Sequence, residues 1–230
     1  MNTLTAVVPF YNEENYLGES IERLLKIKQI SEILLIDDCS TDNSSFIANK
    51  IVQKNKNVKL LTKTNNGGKG SCLKDMSNII KTTHVIVHDA DLEYDPIDII
   101  EMFKKTVIFD NSLIIGSRFL GSIKRSNVYK RTYYANKLMS LFFSIINLYK
   151  VTDVATCYKL MPANFLKEIT LKEDGFSIEI EILSKFLKYN RSIIEVPIKY
   201  EGRSYSQGKK IKTYDGFKYL FNTLKYRFLN

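Results

Sequence analysis

The sequence predicts an α/β domain, a mostly parallel sheet sandwiched by helices, with its working edge at the carboxyl ends of the strands. Three observations predict it. Short β-branched runs alternate with helical patterns four times in the first hundred residues, and parallel strands joined by right-handed crossovers are the economical way to pair them. The run at 84–87 lacks polar–apolar alternation, as a strand covered on both faces does. Three of the first four runs end in polar loops carrying acids or amides, which this topology gathers on one edge.

Residues 5–9 form the first strand, and 10–15 its loop and helix start. The helix continues to about residue 28, with Leu17, Ile21, Leu24 and Leu25 as its apolar stripe. A second strand, 32–36, ends in the acidic turn 37–44, followed by a helix carrying Phe46, Ile47, Ile51 and Val52. Residues 58–61 are a third strand, 64–70 a glycine-rich loop and 71–81 a helix. The fourth strand starts at His84, and Asp95-Pro96 reads as an N-cap and helix-opening proline for a helix over 97–107. A fifth strand, 113–117, ends at Arg118. Beyond it come a basic loop (121–130), a long helix (129–150) and a return to the sheet within 151–161. A helix (177–188), a strand (192–198), a basic loop (200–210) and a closing helix (214–228) complete the chain. No linker rich in Gly, Ser or Pro divides it, so residues 1–230 are expected to form a single domain.

The 230 residues, 44% hydrophobic and 26% charged, suit one folded soluble domain. A net charge of +9 favours anionic partners such as nucleotides or anionic lipid. The same charge would suit nucleic acid, but no RNA- or DNA-binding motif accompanies it, so a basic nucleic-acid-binding module is the less favoured, non-enzymatic alternative and a nucleic-acid partner is not expected. Cys39, Cys72 and Cys157 are odd in number and widely spaced, against a disulfide framework or structural zinc. His84 and His88 share the fourth strand and are expected to pack there. No signal-peptide pattern opens the chain, and no apolar run approaches the roughly 20 residues that span a bilayer. A cytoplasmic protein is expected. On the helix over 129–150, Leu138, Leu141, Phe142, Ile145 and Tyr149 share a face that Ser140, Ser144 and Asn147 interrupt. That face can pack on the sheet, meet a second copy, or lie peripherally on an anionic membrane.

The fourth strand runs into Asp89, Asp91 and Glu93, which a continuing strand would turn to one side. Three oxygen donors so placed repel one another unless a cation sits among them, and hard carboxylates suit Mg²⁺ or Mn²⁺. The alternative is a solvated acidic loop.

Residues 7–13 (Val-Val-Pro-Phe-Tyr-Asn-Glu), 37–42 (Asp-Asp-Cys-Ser-Thr-Asp), 66–70 (Asn-Gly-Gly-Lys-Gly), 89–91 (Asp-Ala-Asp) and 116–119 (Gly-Ser-Arg-Phe) occur in that order at successive loops. Together they resemble the family 2 inverting glycosyltransferases of the GT-A fold. Residues 89–96 and 156–159 resemble the dolichol-phosphate mannose synthase branch. The resemblance implies a nucleotide-sugar-binding half (1–118) and an acceptor-side half with amphipathic helices (119–230). It implies that Pro9, Tyr11, Glu13, Ile36 and Asp38 line the nucleoside pocket and that Lys69 approaches the nucleotide. Asp89 and Ala90 would lie beside ribose and phosphate, with Asp91 and Glu93 as ligands of Mg²⁺ or Mn²⁺. Glu93 stands where some relatives have Gln. Arg118, Arg131, Arg203 and Lys209 would face the phosphates of donor and acceptor.

The expected reaction is transfer of a hexose from a nucleotide sugar of the GDP-mannose or UDP-glucose type to a polyprenyl or dolichyl phosphate. Asp91 and Arg118 would then serve at the reacting centre. Transfer to a sugar hydroxyl of a cell-surface glycan is the alternative, and Asp153 is its candidate general base. A sugar nucleotidyltransferase is less favoured, since residues 10–14 are not the glycine-rich, basic loop usual after the first strand of those enzymes.

Overall fold

The computed structural model describes residues 2–76, 79–121, 125–126, 129–189, 192–203 and 213–229, with backbone alone at 75, 125 and 213–215. In the first half the order is β1 (Leu4–Phe10), α1 (Leu17–Leu25), β2 (Ile30–Asp37), α2 (Ser44–Lys54), β3 (Val58–Thr62), α3 (Lys69–Met76), β4 (His84–Val87), α4 (Asp98–Lys105) and β5 (Leu113–Ser117). The second half adds β6 (Arg125–Ser126), α5 (Lys130–Asn147), β7 (Lys159–Pro162) and α6 (Ala163–Glu168). It closes with α7 (Ile178–Lys188), β8 (Ile193–Pro197), β9 (Tyr200–Glu201) and α8 (Thr213–Phe228).

Seven strands form one sheet in the order β3-β2-β1-β4-β7-β5-β8. Every neighbouring pair is parallel except those of β7, which runs antiparallel to both β4 and β5. The β-branched run of β4 is buried along its whole length, as a strand between helical layers must be. Asp95 Oδ1 accepts from the Ile97 amide at 3.1 Å in a turn ahead of α4, whose N-cap is Ile97 and not the expected Asp95. A small parallel pair, β6 with β9, and a bridge between Tyr94 and Tyr200 bring residues 200–203 back toward the loop after β4.

Besides the two-residue strands β6 and β9, which fall in stretches read as basic loops, the second half differs from the sequence reading in three places. The returning segment becomes strand only at β7; most of the residues before it are loop, and their polar side chains turn inward. α6 has no counterpart in the reading, because six residues are too few to print a helical period. The stripe on α5 divides: Leu138, Leu141 and Ile145 are exposed, whereas Ser140 and Asn147 are buried. The serines explain that orientation. The Val154 amide donates to Ser140 Oγ (3.1 Å) and the Val151 amide to Ser144 Oγ (3.0 Å), so both hydroxyls satisfy loop backbone. Both histidines are buried as expected. His88 lies between Ser20 Oγ (3.1 Å) and Tyr158 Oη (3.0 Å), and burial pushes its pKa down to about 4.

Candidate active site

A cleft of about 250 Å³ opens where the carboxyl ends of β1, β2, β4 and β5 meet. Pro9, Tyr11, Glu13 and Asp38 line it from the first two strands. Asp89, Ala90, Asp91 and Glu93 line it from the loop after β4, and of the other expected residues Lys69, Arg118 and Arg203 line it as well.

Asp38 folds the glycine loop. Its Oδ1 accepts from the Gly67 amide (3.0 Å) and Lys63 Nζ (2.9 Å), and its Oδ2 from the Gly68 amide (2.6 Å). The loop rests on the backbone of residues 173–175. Gly68 has φ +87°, and a Cβ there would meet the Asp174 carbonyl at 2.8 Å, so a side chain is excluded twice over. The Ser71 amide donates to the same carbonyl at 3.1 Å. That opposing segment is anchored in turn by Glu173, which accepts from Lys225 Nζ (2.8 Å) and Tyr226 Oη (2.8 Å) of α8 and from Ser177 Oγ (2.9 Å). Burial would raise the Glu173 carboxyl, but these donors hold it down at about 2.

The acids after β4 do not lie on a continuing strand. β4 stops at Val87, and Leu92 takes a left-handed conformation (φ 63°) between Asp91 and Glu93. Asp91 Oδ1 accepts from the Glu93 amide (3.2 Å) and its Oδ2 faces Arg203 Nη2 at 3.3 Å. Glu93 is engaged at both oxygens, by the Arg203 amide (2.7 Å) and Tyr200 Oη (2.6 Å). Burial, then the charges of Glu93 and Asp89, push the Asp91 carboxyl up to about 7 against the opposing pull of Arg203. Among the described residues no three His, Cys, Asp or Glu side chains are arranged as a metal-ligand set. Two oxygen-donor acids whose charge is only partly relieved by Arg203 and Tyr200 nevertheless fit a hard divalent ion whose shell is completed by water and substrate oxygens.

Arg203, which is buried, pairs with Glu13 at 3.0 and 3.4 Å and lies 5.0 Å over the Tyr16 ring. Glu13, expected to line the nucleoside pocket, is committed to that guanidinium. Arg203 Nε is buried with no hydrogen-bond partner among the described residues, a donor open to an incoming oxygen.

Arg118 is fixed from behind. Asp153 is fully buried and accepts from the Arg118 amide (3.0 Å), Nε (2.7 Å) and Nη2 (2.8 Å). Burial opposes the guanidinium's charge; Asp153 outweighs it and keeps the group charged. The structure does not bring Asp153 itself into the cleft, because Arg118 stands in front of it.

Lys69 bridges Asp89 and Glu179, at 2.8 Å each, and the other oxygen of Glu179 meets Lys159 Nζ at 2.5 Å. Two ammonium groups and two carboxylates thus form one linked row, buried except at Asp89 where it meets the cleft, the arrangement that makes burial of charge tolerable. Lys69 is held charged in spite of burial by Asp89 and Glu179. Glu179, Lys159 and Tyr200 have no role in the sequence reading. One signal was present: residues 178–183 alternate Ile with Glu or Leu, and all are buried, so Glu179 and Glu181 require partners inside the fold.

Two expected residues stand elsewhere. Ile36 is fully buried in β2, paired in register with Pro9, because a central strand turns its aliphatic residues into the helical layers and away from the strand end. Arg131 lies exposed on the first turn of α5. Lys209 falls outside the described residues.

This geometry agrees with what the chain resembles. Residues 5–170 match the family model described as glycosyl transferase family 2. An uncharacterized protein of Methanocaldococcus jannaschii is 28% identical across 95% of this chain and 89% of its own length. The undecaprenyl-phosphate mannosyltransferase of Micrococcus luteus is 25% identical across 91% of this chain and 87% of its own. Among solved structures, glucosyl-3-phosphoglycerate synthase from Mycobacterium tuberculosis, in complex with Mn²⁺, UDP and phosphoglyceric acid, superposes with a TM-score of 0.77. At 14% identity, that match covers 100% of this chain and 80% of the synthase and speaks for the fold. With the family model spanning well over half the chain and the strand-end loops converging on one cleft, the protein belongs to glycosyl transferase family 2 and carries its GT-A fold.

Proposed function

We propose that the enzyme is a metal-dependent inverting glycosyltransferase that moves a hexose from a nucleotide sugar to a polyprenyl or dolichyl phosphate. The observation that carries the acceptor is the Arg118–Asp153 pair. Transfer to a sugar hydroxyl calls for a positioned carboxylate to take the proton, and Asp153 has both oxygens on Arg118 and none in the cleft. A phosphate monoester, with a second pKa of roughly 6, is already anionic at neutral pH and calls for cations instead. Arg118 and the open Nε of Arg203 supply them. The similarity to an undecaprenyl-phosphate mannosyltransferase supports the same acceptor class.

In the displacement, an acceptor phosphate oxygen bonds to the anomeric carbon as the bond from that carbon to the diphosphate oxygen breaks. The electron pair leaves with the nucleoside diphosphate, and the anomeric configuration inverts. Tyr11 and the loop held by Asp38 receive the nucleoside, and Asp89, clamped by Lys69, faces the ribose and phosphate. Asp91 and Glu93 would hold Mg²⁺ or Mn²⁺, which when bound neutralises the departing diphosphate as a Lewis acid. Arg118, kept charged and oriented by Asp153, guides the acceptor.

Radiolabelled nucleotide sugars with GDP or UDP are offered together with a polyprenyl phosphate or a soluble glycan, with Mg²⁺ or Mn²⁺ and with EDTA. The expected product is a lipid-phosphate sugar formed from one donor and lost in EDTA. Preferential labelling of the glycan would overturn the acceptor assignment.

A further inference from the structure

Asp38 meets the cleft with little of its carboxylate to spare. Its side chain is 5% exposed, and an ionised carboxylate offers about four lone-pair directions. Among the described residues three of these are taken, two at Oδ1 by the Gly67 amide and Lys63 Nζ and one at Oδ2 by the Gly68 amide. One direction is left, on Oδ2. The three donors in place are not easily exchanged. Two are backbone amides of the glycine loop, which rests on residues 173–175, and the third is an ammonium on a side chain only 13% exposed. Beside the carboxylate, Asn66 lines the cleft and gives one amide N–H to the Asp38 carbonyl at 3.0 Å. Its second N–H has no partner among the described residues.

This pattern of donors and acceptors discriminates between bases. Uracil presents one N–H between two carbonyls, so N3–H matches the remaining Oδ2 direction and a flanking carbonyl matches the Asn66 amide. Guanine presents N1–H and an adjacent amino group, two parallel donors that ask for both oxygens of one carboxylate. Oδ1 already holds two donors, so guanine would leave its amino group unpaired or strip the glycine loop of its anchor. An unpaired donor taken out of water costs on the order of 10- to 100-fold in affinity. Adenine and cytosine, in the same pose, place a ring acceptor where uracil has N3–H, and that acceptor would face the carboxylate's lone pair. Pro9 and Tyr11 also line the cleft, but stacking holds any base by its face. Selection therefore falls to the edge.

We propose that Asp38 and Asn66 select a uracil-type edge, so that the donor is a uridine diphosphate sugar. The proposal rests on the reading in which the loop held by Asp38 receives the nucleoside. Thymine shares the edge and adds a 5-methyl group, so a deoxythymidine diphosphate sugar is the other source of the same chemistry.

The full chain is titrated calorimetrically with UDP, dTDP, GDP, ADP and CDP in Mn²⁺, without acceptor. UDP is expected to bind about 10- to 100-fold more tightly than GDP, ADP or CDP, and more tightly than dTDP. Tighter binding of dTDP would overturn the uridine assignment. GDP, ADP or CDP binding as tightly as UDP would overturn the selection itself. Asn66→Asp, at an exposed position, turns the amide donor into an acceptor. It should melt like the wild type and narrow the preference for UDP over GDP by about tenfold. The ratio is the readout because an added charge weakens every diphosphate alike. An unchanged ratio would overturn the part given to Asn66. No binding of any diphosphate would defeat the nucleotide-sugar reading and this proposal with it, whereas a preference for GDP would defeat this proposal alone.

Discussion

The cleft and the α5–α8 face break opposite rules. In the cleft the chain buries charge; on the outer face of these two neighbouring helices it exposes hydrocarbon, Leu138 and Leu141 on α5 and Phe217 and Phe221 on α8. The first is compensated inside the fold, where Lys69, Asp89, Glu179 and Lys159 satisfy one another and Asp153 satisfies Arg118. The second has no compensation within the described residues of the chain. A buried charge therefore reports on internal architecture, whereas an uncovered apolar stripe reports on something outside the molecule. Asp91 stands between these cases, because its neighbours raise its pKa and leave its charge only partly relieved.

The widest consequence concerns Asp91. Asp91→Asn should lower kcat by on the order of 10³-fold, measured with donor and acceptor at saturation. In metal-free buffer above pH 7 the same variant should melt higher than wild type, because a carboxyl whose folded pKa is raised loses stability as pH rises through it. A lower melting temperature would move Asp91 to the side of the fully compensated charges.

Glu179→Ala should cost about 3–5 kcal/mol in urea unfolding, since Lys159 and Lys69 would be left buried and short of a partner. A loss near zero would show that the buried set is dispensable to the fold.

His88 sharpens the comparison through pH. Its pKa is about 4 in the fold against an ordinary 6.5, so below pH 6.5 the unfolded chain takes up a proton that the native chain refuses. Stability present above pH 6.5 should fall as pH drops toward 4, by about 3 kcal/mol in all. His88→Gln should flatten that slope in denaturant titrations across the window.

Gly68→Ala, with its positive φ and the Asp174 carbonyl in the way, should cost about 1–2 kcal/mol and raise the donor KM more than it lowers kcat. The smallest effect belongs to the outer face. Leu141→Ser should change stability by no more than about 0.5 kcal/mol, because the side chain is 57% exposed. A larger loss would place Leu141 in the packing of this chain.

Much of this was legible from the chain alone, and what escaped has a common cause. Each of the first four strands sits next to its own loop, so Asp38, Lys69, Asp89 and Asp91 announce the edge by local spacing. The antiparallel β7 between β4 and β5 is set by partners far along the chain, with His84 opposite Pro162 and Ile114 opposite Leu160. The pairings Arg118–Asp153 and Lys69–Glu179–Lys159 are also long-range, and a sequence shows a charge without showing which charge it meets. On α5 the apolar spacing was plain. Its inward side was not, because the deciding fact is that Ser140 and Ser144 serve the backbone of a loop that follows the helix.

The grip of Lys225 and Tyr226 on Glu173 makes the carboxyl-terminal helix a remote buttress of the glycine loop, since Asp174 alone separates that anchor from Gly175 and offers its carbonyl to Ser71. On the nucleoside-binding role proposed for that loop, a chain cut short before α8 would accordingly bind nucleotide poorly even with every donor-side residue intact. A tag fused at the far end could likewise disturb affinity for a ligand held by the opposite half of the sequence.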